Sequence, residues 1–527
     1  MFQGNGTAES AGHHKWAVLI VVIMGSFMPI LDTTIVNVGL PKMMAHFGST
    51  VDQIEWVVTA YMISFAIIMP AMNWLQRAFG LKTIFMASLI IFCLGSALCG
   101  VAWNLDSMVF FRVIQAIGGG AMMPTGLTLI SEVFPPQERG MATGIWSIGA
   151  MVAPTIGPFV GGYLVDEISW RWIFYINLPM GSAAMLAAFG VLPFRPPASI
   201  RKPFDFIGFG SFSIFLAFLL VALTQGQREG WDSDYILTCF GLSLLGLTAF
   251  MISWFWVSEP LIDLRLLINR NFFLANIINF VRAIGIFGSI FLMPMFLQNL
   301  LQYSAWRTGM ILAPSAITVA LVAPFSGLIT DRIGPRLPLF LGTCFLAFSL
   351  YAYRDLSLNA DYGFLLWPQI YRGIGLGLIN APLMSTALNA VRREETGMAS
   401  GMLTVVMQLG GAFGIAILGT ILQRREFFHY AHFLQGWTHG DFPPLAQAHS
   451  ISQALLFDAG YSPADASRKG KMLLALWVHR LASASAFGDA FLFAGLLTAM
   501  GVLPALLISP KSFLQGATQK EISLRNK

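Results

Sequence analysis

Apolar residues in this chain run in long blocks, and polar residues gather in the short breaks between them. A block of roughly 20 apolar residues is what an α-helix needs to cross a hydrocarbon core about 30 Å thick. Fourteen blocks can be drawn, at residues 16–39, 54–75, 83–103, 107–131, 140–164, 172–194, 206–225, 235–257, 272–298, 308–330, 337–353, 363–388, 397–422 and 487–508. The pattern predicts an all-α integral membrane protein with fourteen transmembrane helices. An even number of spans puts both termini on one side.

Lys and Arg say which side, because short loops rich in them stay in the cytoplasm. Tails and loops on the terminal side carry 17 of the 31 basic residues, including Arg77, Lys82, Arg139, Arg195, Arg201, Lys202, Arg332, Arg336, Arg392 and Arg393. Short loops on the other side carry five: Lys42, Arg171, Arg228, Arg307 and Arg354. Both termini are expected in the cytoplasm, with the chain in the inner (cytoplasmic) membrane. The first block follows a tail holding His13, His14 and Lys15 and is long enough to span, so it is expected to insert uncleaved.

Composition agrees: 56% of the 527 residues are hydrophobic and 11% charged, against about 25% charged in soluble domains. The net charge of +5 follows from the basic loops, and no basic stripe with interleaved aromatics suggests nucleic acid. Cys93, Cys99, Cys239 and Cys344 fall inside apolar blocks without CxxC spacing and read as packing residues. No metal site is expected; His429, His432, His439 and His449 lack ligand spacing.

The chain also repeats itself. Gly140-Met141-Ala142-Thr143-Gly144 recurs as Gly397-Met398-Ala399-Ser400-Gly401. Gly80 and Gly334, Arg77 and Arg332, Arg112 and Arg372, and Gly140 and Gly397 are separated by 254, 255, 260 and 257 positions. Two six-helix bundles follow, residues 16–194 and 272–510, joined by a segment, 195–271, with two inserted spans. Residues 1–15 and 511–527 are tails, and 423–486 form a long outer loop within the second bundle. Duplicated membrane bundles alternate access around a site between their halves.

Several motifs carry a resemblance. Leu31-Asp32-Thr33-Thr34-Ile35-Val36-Asn37-Val38 with Leu40-Pro41, Trp56-Val57-Val58-Thr59-Ala60-Tyr61, Arg112-Val113-Ile114-Gln115 with Gly118-Gly119-Gly120, and Gly157 to Gly162 stand in order. In these the chain resembles the major facilitator superfamily, and within it the fourteen-span drug:proton antiporters of the EmrB/QacA type. The resemblance implies the major facilitator fold and proton-driven efflux of hydrophobic or amphipathic compounds, with no cofactor and the proton gradient as energy source. Pro154, Gly157, Pro158, Gly161 and Gly162 match the motif that seals such antiporters against leak. The outer loop is either a dock for a periplasmic adaptor and outer-membrane channel, as in similar pumps, or a plain connection.

The family's loop after span 2 forms a cytoplasmic latch, matched here by Arg77 and Gly80 and, in the second copy, by Gly327, Asp331, Arg332, Gly334 and Arg336. Gln76 stands where the first copy should have its acid, so the stronger latch is expected at Asp331 and Arg332.

Proton coupling needs a group that titrates within the membrane. All eight His lie outside the blocks, and of 26 acidic residues only Asp32 sits well inside one; Glu132, Asp205 and Asp489 lie near block ends. At 1.5 Å per residue Asp32 is about 24 Å from the terminal face, and Arg112 on span 4 shares its level. A lone charge at that depth is costly, so the two are expected to pair and to couple transport to protons. Arg282 and Arg372 lie near the midplane; facing the cavity they would favour anionic substrates, and snorkelling away they would not. Asn37, Gln115, Gln298 and Asn380 are the polar residues placed to orient a substrate. The alternatives are an exporter of one endogenous metabolite or lipid, an importer, or a membrane sensor or enzyme; the last lacks any Walker motif or nucleophile constellation.

Overall fold

The computed structural model describes residues 6–135, 138–193, 203–257, 260–392, 395–438, 450, 454, 456–457, 459–460 and 462–509. Within them the chain is helical and contains no strand. The first bundle comprises α1 (Gly6–Phe47), α2 (Trp56–Phe79, with a tight turn at Met69–Ala71), α3 (Leu81–Gly100), α4 (Leu105–Val133), α5 (Arg139–Tyr163) and α6 (Trp172–Val191). Two further helices, α7 (Phe206–Glu229) and α8 (Asp234–Trp256), precede the second bundle. That bundle comprises α9 (Arg270–Met295), α10 (Ala305–Ile333), α11 (Arg336–Tyr351), α12 (Tyr362–Asn389), α13 (Thr396–Thr438) and α14 (Pro463–Ala499).

Twelve of these helices are long and apolar enough to cross a membrane among the described residues. The expected fifth and twelfth spans, α5 and α12, form helices of 25 and 28 residues but fall outside the twelve. For α12 the reason is physical. Its polar residues, Gln369, Arg372 and Asn380, are buried against neighbouring helices, and a surface that never meets lipid need not be apolar.

Local chemistry sets the helix ends. Asn104 caps α4 in a reciprocal box with Ser107, and Asp205 and Asp361 cap α7 and α12 through the backbone N–H groups of Gly208 and Phe364. The repeated Gly80 and Gly334 end α2 and α10 at φ of 84° and 93°, where a side chain would be strained. Asp205 also accepts from the Leu261 N–H at 3.3 Å, which makes it a structural brace between α7 and the segment before α9.

The duplication is visible in the packing. In the first bundle α1 meets α4, α5 and α6, α4 meets α2 and α3, and α3 meets α6; each pair recurs eight helices later in the second bundle. The seams between bundles repeat as well: α5 packs on α10 and α12, while α13 packs on α2 and α4. The inserted helices break this symmetry. On one seam Phe159 of α5 meets Trp306 of α10 with ring centroids 4.4 Å apart. On the other, α7 sits between α2 and α13, with Arg228 on Glu55 at 2.8 Å, Gln227 on the Gly419 carbonyl and Trp231 on Thr420.

A chain of contacts places the two described ends on one face. Lys15 pairs with Glu138, Arg139 with Asn389, Asn269 with the Ala390 carbonyl, and Asn271 with Ser509. At the opposite face the structure departs from expectation. Much of residues 423–486, expected as a loop, continues α13 and begins α14 as two helices that pack through Tyr430, Phe433 and Leu434 on Leu474 and Val478. Arg425 and His429 both meet Asp489 at 2.6 Å at the base of this extension, so the stretch from Met472 to Leu481 is helix throughout. His439, His449 and Pro443-Pro444 lie outside the described residues, as do Arg195, Arg201, Lys202, Arg393 and the final tail.

Candidate transport site

Asp32 lies midway along α1, fully buried, and α4 brings Arg112 against it at 2.5 Å, itself 1% exposed. Two separate blocks of sequence thus meet at the one acid and one base expected to pair. The guanidinium also donates through Nε to the Val57 carbonyl on α2 and through NH1 to the Gln115 amide oxygen, and it lies 3.9 Å from the centre of the Tyr61 ring. The other carboxylate oxygen accepts from Gln115 at 2.9 Å and from Asn177 on α6 at 3.4 Å. Ser96 on α3 closes the network by accepting from both amides. Four helices therefore converge on one ionisable carboxylate, and each remaining polar group is neutral. Asp32 is the counter-charge of Arg112 in this network, and the neutral partners complete the hydrogen bonding of both.

Ser96, Asn177 and Tyr61 complete this centre and were not singled out from the sequence as its members. Each is a polar residue inside an apolar block, which was the available signal. Cys99, expected only to pack, lies with its thiol 3.7 Å from the Gln115 amide oxygen.

Among the described residues the second bundle holds two buried arginines with no carboxylate among their hydrogen-bond partners. Arg282 on α9, 3% exposed, donates to Asn279 and Asn380 and lies against the Met407 sulfur. Arg372 on α12 donates to Ser289 at 2.6 Å and Ser315 at 3.1 Å. The predicted Arg282 and Asn380 are brought together; Asn37 and Gln298 are not part of either cluster. Asn37 is exposed and donates to its own helix at Thr33, and Gln298 is half-buried in a π-helical turn, Phe296–Leu300, after α9.

Gly157 and Gly161 bring α5 close to α1. A methyl group at Gly157 would collide with Thr34, and one at Gly161 with Ile35, so α5 packs on the turns that follow Asp32. Gly162 faces open space, and the side chains of Pro154 and Pro158 lie outside the described residues.

The other end of α5 reaches the second bundle. Gly140 and Gly327 lie backbone to backbone, and the Met141 N–H donates to Asp331 at 3.3 Å. Asp331 was expected to act with Arg332. Arg332 is exposed, and the carboxylate is spent on the N-terminus of α5 across the seam, because adjacent residues on a helix point to different sides. The repeat supplies the mirror contact. At the N-terminus of α13, Gly397 faces Asn73 and Gln76, and Gln76 donates to Thr125. Hydrogen bonds from Arg392, with the nearby charge of Arg77, hold Glu395 below the usual carboxylate range. Arg336 is exposed.

Residues 22–415 match the model of the Major Facilitator Superfamily. The chain belongs to that family. It is 31% identical over 432 residues to the multidrug export protein EmrB of Escherichia coli, covering 81% of this chain and 84% of EmrB. It is 29% identical over 410 residues to the fatty acid resistance protein FarB of Neisseria gonorrhoeae, covering 78% of this chain and 81% of FarB. Among solved structures, the human organic anion transporter MFSD10 superposes with a TM-score of 0.57 at 14% identity, covering 92% of this chain and 99% of that one. This major facilitator protein is a membrane transporter of the EmrB type, not an enzyme.

Proposed function

We propose that this transporter exports hydrophobic or amphipathic compounds across the inner membrane in exchange for protons, with both termini in the cytoplasm. The observation that carries this reading is the burial of Asp32 against Arg112, a fully buried ion pair in the first bundle. A buried ion pair is weak evidence for stability, since apolar residues of similar volume do as well. Its use is a change of charge. With Asp32 ionised, Arg112 is held on α1; with Asp32 protonated, the guanidinium is released and α1 and α4 are free to shift. Because α5 packs on α1 beside Asp32 and on α10 through Gly140, that shift is transmitted to the seam where Asp331 holds α5. Substrate and proton then compete for one arrangement of helices, which is the requirement for exchange.

The balance of buried groups supports one sign of substrate charge. Arg112, Arg282 and Arg372 against Asp32 favour anionic amphipaths, a preference consistent with the name of FarB. The extension of α13 and α14 at the face opposite the termini is the surface available to a periplasmic adaptor.

The test uses inside-out vesicles loaded with a pH-sensitive dye. Adding an amphipath should release protons from wild-type vesicles and not from Asp32→Asn vesicles. Equal signals from the two proteins would remove Asp32 as the coupling group.

A further inference from the structure

The two arginines paired by the repeat reach the corresponding two neighbouring helices in their bundles and meet different chemistry there. In the first bundle Arg112 sends Nε to Val57 on α2 and NH1 to Asp32 on α1. In the second, Arg372 sends Nε to Ser315 on α10 and NH1 to Ser289 on α9. Helices α9 and α10 are the repeat partners of α1 and α2, and Ser289 follows Asp32 by 257 positions, the offset between Gly140 and Gly397. A hydroxyl thus stands where the first bundle has a carboxylate.

The consequence is electrostatic. Arg372 is 8% exposed and its partners are two neutral hydroxyls. A buried cation without an anion is costly, and the cost is relieved when an anion arrives. One turn earlier on α12, Gln369 is fully buried, with its side chain against the Tyr353 hydroxyl and neither amide atom in a hydrogen bond of good geometry. Arg372 and Gln369 both adjoin Tyr353. Buried amides are nearly always fully satisfied, so a weakly satisfied amide one turn from an under-compensated guanidinium points to a guest. A guanidinium fork, a hydroxyl and an amide N–H form a donor set suited to a planar carboxylate.

We propose that the second bundle binds the carboxylate of a transported amphipath at Arg372, in the place that Asp32 fills in the first bundle. Ser289, Ser315 and Gln369 position it. This rests on the transport reading above and names its substrate class: an apolar body bearing one carboxylate. The first bundle carries its own anion; the second is neutralised only when loaded.

Binding of dodecanoate and of dodecanamide to the purified protein in zwitterionic nanodiscs tests this through the ratio of their affinities, followed by tryptophan fluorescence. Wild type should favour the carboxylate by about tenfold or more, the scale of a hydrogen bond to a charged group. In Ser289→Asp, where an internal carboxylate takes the place, and in Arg372→Gln, the ratio should fall to about one. Arg372→Lys keeps the charge and should retain part of the preference. The ratio compares two probes on one protein, so a variant that misfolds loses both and is recognised by its melting curve. An unchanged ratio in folded Ser289→Asp, or no preference in wild type, would overturn the assignment. So would chloride displacing nothing but binding alone at the site, which would make it an inorganic-anion site. Failure of the transport reading looks different: no amphipath of any charge would evoke Asp32-dependent proton release in vesicles, whatever the binding ratio.

Discussion

In the first bundle Arg112 faces a carboxylate on α1; in the second, Arg372 faces a hydroxyl on α9. At the seams the charge is reversed: α5 is held by the carboxylate of Asp331, whereas α13 meets the amide of Gln76. One duplicated scaffold therefore carries complementary chemistry, with a buried carboxylate deep in the first bundle and the seam carboxylate in the second. Packing constrains which helices touch, and the repeat preserves that; single polar residues decide what the contacts do, and these have diverged.

The largest difference should appear on removing each arginine. Arg112→Met leaves Asp32 buried without its cation and should cost about 3–5 kcal/mol of stability. Arg372→Met leaves only two hydroxyls behind and should cost about 1 kcal/mol or less. Denaturation midpoints in a common detergent would measure both, and equal losses would show that the second arginine has an internal anion after all. Adding Asp32→Asn to Arg112→Met should recover part of the first loss.

A smaller effect separates the seams. A methyl group at Gly327 meets the backbone of Gly140 and Met141, whereas one at Gly397 meets the side-chain ends of Gln76 and Asn73, which can move. Gly327→Ala should therefore part α5 from α10 at a cost of about 1–3 kcal/mol, and Gly397→Ala should cost less. Labelling of a cysteine introduced at each seam would report the opening; equal labelling would break the distinction. The smallest change expected is from Gln76→Asp. It gives α13 the anion that α5 already has, and should stabilise that seam by about 0.3–1 kcal/mol, seen as reduced labelling.

Much of the candidate site was legible. Asp32 stood out because a carboxylate inside an apolar block is costly, and Arg112 because its depth matched. Gln115 came with the same motif. Asn37 was grouped with the site although its side chain is exposed on α1, because a motif gives spacing along the helix and not which face meets the partner. Ser289, Ser315 and Gln369 were passed over because small or neutral polar residues are common in membrane helices and cost little until they are buried without partners. Asp331 was expected to act with Arg332; its partner in the structure is a backbone N–H on another bundle, which carries no side-chain signature.

The sequence by itself determined the solvent, the helices and the duplication. Apolar blocks are long because hydrocarbon penalises every unpaired backbone group, and that rule acts on each segment separately. The tertiary structure decided which polar groups meet: that Arg112 finds Asp32 across 80 positions, that Arg372 finds two serines, and that α7 enters one seam and leaves the other direct. Those outcomes depend on the rotation and close approach of helices remote in the chain, and such contacts are fixed only when all the helices pack together.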